Sequence, residues 1–434
     1  QLVNKNEIHD LEPNIKAFYH GGVYYPYARH ARNPKKILIN FFELFLKKGG
    51  NFHKTNIKTA FVSTNSVTQG EQVSVLWGEM IKKLGIKIHF AHTTFKWSNQ
   101  AKGKAAVYCV IIGYANVDTK KKKLFTYLDI NGEPFESLVK NINPYLVNAD
   151  DLIIERRSQP ICNVPKMAFG NMPLDGGNLI IEDDEKLEFL LKEPKAKPYV
   201  LPLISAKEYL NNKKRWCLWL ENITPNELRK MPKILERVQA VKQFRLASKA
   251  PSTQKHAITP TLFRDRNRPN TFIVVPRVSS EKRKYIPMGF FDHNSIVSDT
   301  MLSIPNGNLF NFGILMSEMH MSWVKYTCGR LESRFRYSKD IVYNNYPWPK
   351  ELSEKNKKNV EAKAQKILDV RKEFSESSLA DLYDPDAMPP KLTKAHRELD
   401  KAVDKCYRSQ LFKNDSKRIE FLFNLHIDYI DKKD

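Results

Sequence analysis

Between residues 57 and 114 the apolar residues change period in a way that few folds accommodate. Ile57–Thr64 (IKTAFVST) is a short apolar run bounded by polar residues, the pattern of a buried strand. Asn65–Gly70 (NSVTQG) reads as a loop with an N-cap candidate, and Glu71–Leu84 spaces its apolar residues along one helical face until Gly85 stops it. Ile86–Phe90 and Ala105–Tyr114 are two further strands. Strand, helix, strand and a strand returning after a short loop make the second half of a doubly wound α/β domain. The first half, with its nucleotide-binding turn, is not found: there is no G-x-G-x-x-G and no Walker sequence.

The rest of the chain mixes α and β without a repeating βαβ unit. Residues 1–34 have no period, and Lys35–Lys48 reads as a helix ended by Gly49-Gly50. Lys120–Lys123 reads as a solvated turn, and Asn141–Asn148 and Ile161–Gly177 as linker and domain entry. Asp183–Lys192 is a short acidic helix, Arg215–Leu220 a buried strand, and Pro225–Ala250 a basic helix with a break expected at Pro232. Thr271–Pro276 is a strand. Leu352–Glu376, Leu392–Tyr407 and Ile419–Ile430 are helices of a small tail unit, the first two separated by a breaker-rich loop, Ser377–Pro390.

A chain of 434 residues with 41% hydrophobic content is long enough for two or three domains with real cores. Its formal charge of +23 points to a polyanionic partner, nucleic acid before a membrane surface. No run approaches the roughly 18 apolar residues of a membrane span. The five cysteines (Cys109, Cys162, Cys217, Cys328, Cys406) are scattered with no C-x-x-C pair, which argues against a zinc ribbon or a disulfide framework and for a reducing cytoplasm.

Three basic segments stand out as candidate contacts to DNA. Phe263–Arg268 (FRDRNR) carries Arg264, Arg266 and Arg268. Arg277, Ser279, Ser280 and Arg283 follow the strand at Thr271. The third lies in Asn308–Pro349, which opens with a helix-like block at Phe312–Val324 and has Gly329 as a possible helix C-terminal turn. After it come Arg330, Arg334, Arg336 and Tyr337, then the aromatic-amide sequence Tyr343–Pro349. Arginine forks onto guanine or phosphate, and hydroxyls and amides bond phosphate and base edges. The alternative is a core helix followed by ordinary solvated charge. Phe95 and Trp97, in HTTFKW just beyond the strand Ile86–Phe90, lie where ligands bind in α/β sheets, and either could stack on a base; core packing is the alternative. The histidines show no metal-ligand spacing, the acidic pairs Asp150-Asp151 and Asp183-Asp184 read as surface, and Gly176-Gly177 as a turn.

KTAFVSTNSVTQGEQV with HFAHTTFKW and GKAAVYCVIIGYA, FGNMPLDGGNLI, RWCLWL, VVPRVSSEKRKYIPMGF, CGRLESRFRYS with VYNNYPWP, and LADLYDPDAMPPKLTKAHRELDKAVDKCY together resemble MmeI-like type II restriction-modification DNA methyltransferases. The resemblance runs from about Asn56 to Asp434. It implies α/β plus α+β architecture: the rear half of a Rossmann-like methyltransferase sheet (residues 54–140), a mixed target-recognition domain (141–350) and a helical C-terminal module (351–434), after an unclear remnant at 1–53. It implies an adenine-specific enzyme using S-adenosylmethionine, with Phe95, before Trp97, stacking on the flipped adenine. The family's Asn-Pro-Pro-aromatic and glycine-rich donor motifs are absent. The expectation is therefore a DNA-recognition piece that neither methylates nor cuts by itself and binds no donor alone. Its partner is double-stranded DNA, with the catalytic half supplied elsewhere, in the same or a separate chain. Two other readings stay open: a non-catalytic specificity protein working with a catalytic partner, and a basic RNA-binding protein.

Overall fold

The computed structural model describes residues 2–3, 22–23, 58–97, 107–127 and 129–431. In the unit Gln1–Ile57, Leu2–Val3 pairs antiparallel with Gly22–Val23. The helix expected at Lys35–Lys48 lies outside the described residues.

The second unit, Lys58–Asp434, opens with a mixed five-stranded sheet. Its strands are β1 (Thr59–Thr64), β2 (Lys87–Trp97), β3 (Val107–Ala115), β4 (Lys122–Tyr127) and β5 (Pro134–Val139), in the order β1-β3-β2-β4-β5. Helix α1 (Glu71–Leu84) joins β1 to β2 and buries Val73, Leu76, Trp77 and Met80. It ends at Gly85, whose φ of 63° suits a left-handed cap. β3 runs antiparallel between β1 and β2, while β2 and β4 are parallel. This is the rear half of a doubly wound sheet with two reversed strands, β3 and β5. Two expectations shift here. β2 continues through His92–Trp97, so HTTFKW belongs to the strand, across register shifts at Ile88/Phe90 and His92/Phe95. Lys122, expected in a solvated turn, opens β4 and is buried, its Nζ 2.7 Å from Asn141 Oδ1 and 3.0 Å from Asp118.

Residues 168–343 build three smaller sheets. β6 is Ala168–Phe169, β7 Ile180–Glu182, β8 Val200–Ile204 and β9 Arg215–Leu218. Helix α2 (Pro232–Leu246) starts at the proline, so the long basic helix is broken where expected, after a short helix at Pro225–Arg229. β10 (Thr271–Pro276), β11 (Val278–Ser279), β12 (Gly289–Asp292), β13 (Ile296–Val297) and β14 (Met301–Pro305) follow. They assemble as β13-β8-β9-β7 and β12-β10-β14-β6. The expected helix block at Phe312–Val324 is two helices, α3 (Leu309–Leu315) and α4 (Glu318–Thr327). Ser317 splits them because its side chain accepts from His320 N and starts a new helix. Gly329 does not cap α4; it opens β15 (Gly329–Leu331), which forms a hairpin with β16 (Arg334–Arg336).

The tail is helical: α5 (Glu354–Lys372), α6 (Pro390–Tyr407) and α7 (Asp415–Ile430). It packs on α3 and α4. An added Cβ at Gly313 would lie 2.6 Å from Val360 Cγ1, so only glycine lets α3 approach α5 this closely. Among the described residues no helix is long and apolar enough to cross a membrane.

Candidate DNA interface

Two of the three basic segments meet in one small sheet. β11 pairs with β16, setting Val278 opposite Arg336, and β16 pairs with β15. The hairpin turns at Glu332, whose φ is 58°. β16 alternates: Phe335 is buried between exposed Arg334 and Arg336. Arg334 pairs with Glu332 at 2.8 Å, whereas Arg336 has no ion-pair partner among the described residues. Arg283 is half-buried on the neighbouring loop, and Ser280 Oγ accepts from Lys282 N. This three-stranded sheet, in the order β11-β16-β15, thus carries Arg334 and Arg336 on one face of its middle strand.

Not every residue expected on that face is there. Arg330 packs its guanidinium 3.9 Å from the Phe335 ring centroid and donates to the carbonyls of Ser333 and Lys325, so it holds the hairpin together. Ser279 is 2% exposed. Tyr337 is also 2% exposed; its hydroxyl meets His320 Nε2 at 2.9 Å, and burial pushes that histidine down to about 3. Arg330, Ser279 and Tyr337 are corrected from DNA contacts to supports, because strand alternation turns them toward the protein.

The Arg264–Arg268 segment supplies no strand to that sheet and is largely engaged. Arg264 pairs with Asp265, Arg266 with Glu221 at 3.1 Å, and Arg268 Nε donates to His293 O at 2.7 Å. Arg277 donates to Asp299 O at 2.8 Å.

The aromatic-amide sequence is an internal latch, not a docking strip. Tyr343, Asn345 and Tyr346 are fully buried. Asn345 Nδ2 donates to the carbonyls of Glu155, Asp340 and Ile341, and Asn344 Nδ2 to Arg157 O at 2.7 Å. Tyr343 donates to Pro165 O, and His426 Nδ1 lies 2.9 Å from Asn345 O. Buried amides and hydroxyls need such partners, and the main chain of the domain entry supplies them.

At the far end of β2, Phe95 is half-buried and Trp97 is 45% exposed. Phe95 stacks on Tyr127 with centroids 5.4 Å apart, and the Trp97 ring lies tilted against it at 6.2 Å. His92 stacks on Phe125 at 4.2 Å and meets the Tyr127 hydroxyl at 2.9 Å. The sequence does not bring Tyr127 and His92 together, because β2 and β4 become neighbours only in the sheet.

The MmeI target recognition domain matches residues 148–350, the MmeI C-terminal domain residues 352–432, and the MmeI DNA-methyltransferase domain residues 27–126. The chain is 44% identical to DNA methyltransferase A of Bacillus subtilis (strain 168) over 373 residues, 86% of this chain and 42% of that protein. It also resembles the solved structure of the Type IIL restriction-modification enzyme MmeI in complex with DNA, with a TM-score of 0.80 and 45% identity, over 87% of this chain and 50% of that one. The chain belongs to the MmeI family. It spans about half the length of these relatives.

For a member of the MmeI family the basic ribbon lies in the part matched as target recognition domain, and the Phe95 cluster in the part matched as methyltransferase. The methyltransferase match starts at residue 27, inside the stretch set aside as 1–53. A methyltransferase needs a methyl donor. The 434 residues hold neither a Gly-x-Gly-x-x-Gly turn nor an Asn-Pro-Pro-aromatic sequence. Among the described residues no His, Cys, Asp or Glu group is placed to hold a metal ion. Asp183 and Asp184, expected as surface charge, accept from Trp216 Nε1 and cap the helix Glu185–Lys192.

Proposed function

We propose that this chain is the DNA-recognition part of an S-adenosylmethionine-dependent, adenine-specific DNA methyltransferase of a restriction-modification system. Residues 54–140 supply the rear of the methyltransferase sheet, 141–350 read the duplex, and 351–434 brace the reader. The donor site and the groups that hold the adenine amino nitrogen come from residues outside these 434, in the same or a separate chain. The observation that carries the reading is the ribbon of β15 and β16, joined to β11, which offers Arg334 and Arg336 outward from a chain of net charge +23. In a major groove arginine forks onto guanine. In the same reading Phe95 offers a stacking face to a flipped adenine, with Tyr127 backing the ring at 5.4 Å.

The test is selection of random duplex DNA on the purified chain at two salt concentrations. A short enriched sequence that survives the higher salt is expected; binding without enrichment and with a steep loss in salt would reduce the interface to phosphate contacts. Within that interface, Arg334→Ala and Arg336→Ala should each weaken binding to the selected duplex by about 1–3 kcal/mol, measured by fluorescence anisotropy. Unchanged affinity in both would remove the ribbon from the interface.

A further inference from the structure

One exposed ring sits where all three basic segments converge. Phe169, on the edge strand β6, pairs with Leu302 of β14 and is 44% exposed. Single exposed aromatics are ordinary. This one has the Arg277 guanidinium 5.0 Å from its ring centroid and the Lys339 ammonium at 5.5 Å. Its carbonyl accepts from Asn267 Nδ2 at 3.3 Å. Residues 267, 277 and 339 are far apart in sequence, and each belongs to or borders one of the basic segments. Arg277 also ties the ring to the ribbon, because its carbonyl accepts from Tyr337 N at 2.7 Å. Lys339 is ion-paired with Asp340 at 2.6 Å, so Arg277 is the cation that draws a phosphate beside the ring, leaving the ring itself to meet an apolar part of the duplex. In the major groove that part is the thymine methyl group.

We propose that Phe169 makes an apolar contact to a thymine methyl in the major groove, as a base-reading residue distinct from the arginines. This rests on the duplex-recognition reading above. Its test uses the 434-residue chain and a selected duplex in which each thymine in turn is replaced by 5-iodouracil, which photocrosslinks to aromatic rings. Crosslinking is expected at one position, to the tryptic peptide spanning residues 167–186, where Phe169 is the only aromatic. Replacing thymine by uracil at that position removes only the methyl and should weaken binding about fourfold, the value of one buried methyl group. Phe169→Ala should cost at least as much, with the salt slope unchanged, and should abolish the thymine-over-uracil preference.

A parent and a Phe169→Ala variant that discriminate thymine from uracil equally would overturn the proposal. So would crosslinks confined to other peptides. The crosslink is read on the parent chain and decides the matter even if the variant folds poorly. Failure of the parent to bind any duplex would instead sink the recognition reading on which the proposal stands.

Discussion

Arg245 shows how much one side chain organises in the recognition module. It is fully buried, and all five of its N–H donors are used. They reach the carbonyls of Pro173, Leu174, His256, Thr259 and Leu262 at 2.7–2.9 Å. Two loops distant in sequence are tied to one guanidinium, and the second leads into the Arg264–Arg268 segment. Arg245→Met should therefore destabilise the chain by at least about 3 kcal/mol in urea unfolding, because it leaves several buried carbonyls without donors. Arg245→Lys should recover only part of this, since an ammonium has three donors and no planar fork. A loss below about 1 kcal/mol in the Met variant would mean that water replaces the guanidinium. In the sequence Arg245 is one more cation of a basic helix; nothing separates it from Lys242 or Lys249. The same limit explains Tyr337 and Ser279: residue type suggested surface contact, while the strand face that decides it is set by pairing with neighbours.

At the scale of elements, local signals decide many of the boundaries. α1 runs from Glu71 to Leu84 as its spacing indicates, Pro232 begins α2, and Thr271–Pro276 is a strand with those bounds. The errors are of two kinds. One is continuation: β2 runs on through Trp97 because β3 pairs with it along most of its length, which no local propensity reports. The other is packing: α3 and α4 share one apolar period but separate at Ser317 so that each can meet the tail helices. Gly313 marks the closest contact, and its replacement makes a test at this scale. Gly313→Ala should cost about 1–3 kcal/mol, because the new methyl would sit 2.6 Å from Val360 Cγ1 in a helix pair with no flexible side chain to yield. Thermal unfolding of the variant reads it, and an unchanged or raised midpoint would show that α3 and α5 can separate freely.

Across the molecule, the tail is fastened to the recognition domain by a buried polar network. Tyr285 stacks on His396 at 3.9 Å and donates to Asp400 Oδ2 at 2.7 Å, and Glu318 N donates to Asp400 Oδ1. Arg418 bridges Glu318 at 3.1 Å and Asp404 at 3.0 Å. Burial, with Glu318 nearby, pushes Asp400 up to about 7. The folded state therefore holds this proton where the unfolded chain releases it. The stabilisation is present below the ordinary carboxyl pKa of about 4 and is lost as pH rises toward 7. Asp400→Asn should thus gain stability relative to the parent as pH goes from about 4 to 7, in paired denaturant melts; a pH-independent difference would mean that Asp400 is charged throughout. The sequence by itself determined the strand–helix–strand order of residues 57–114, the breaks at Gly85 and Pro232, the helical tail, and a strongly basic chain, because these depend on local period, backbone restriction and summed charge. Tertiary structure alone decided which cations face outward, that Tyr343–Trp348 is an internal latch, and that Phe169, Arg277 and Lys339 share one patch. Those outcomes depend on pairing and burial between residues far apart in the chain, where hydrogen-bond satisfaction and close packing choose among side chains that composition cannot tell apart.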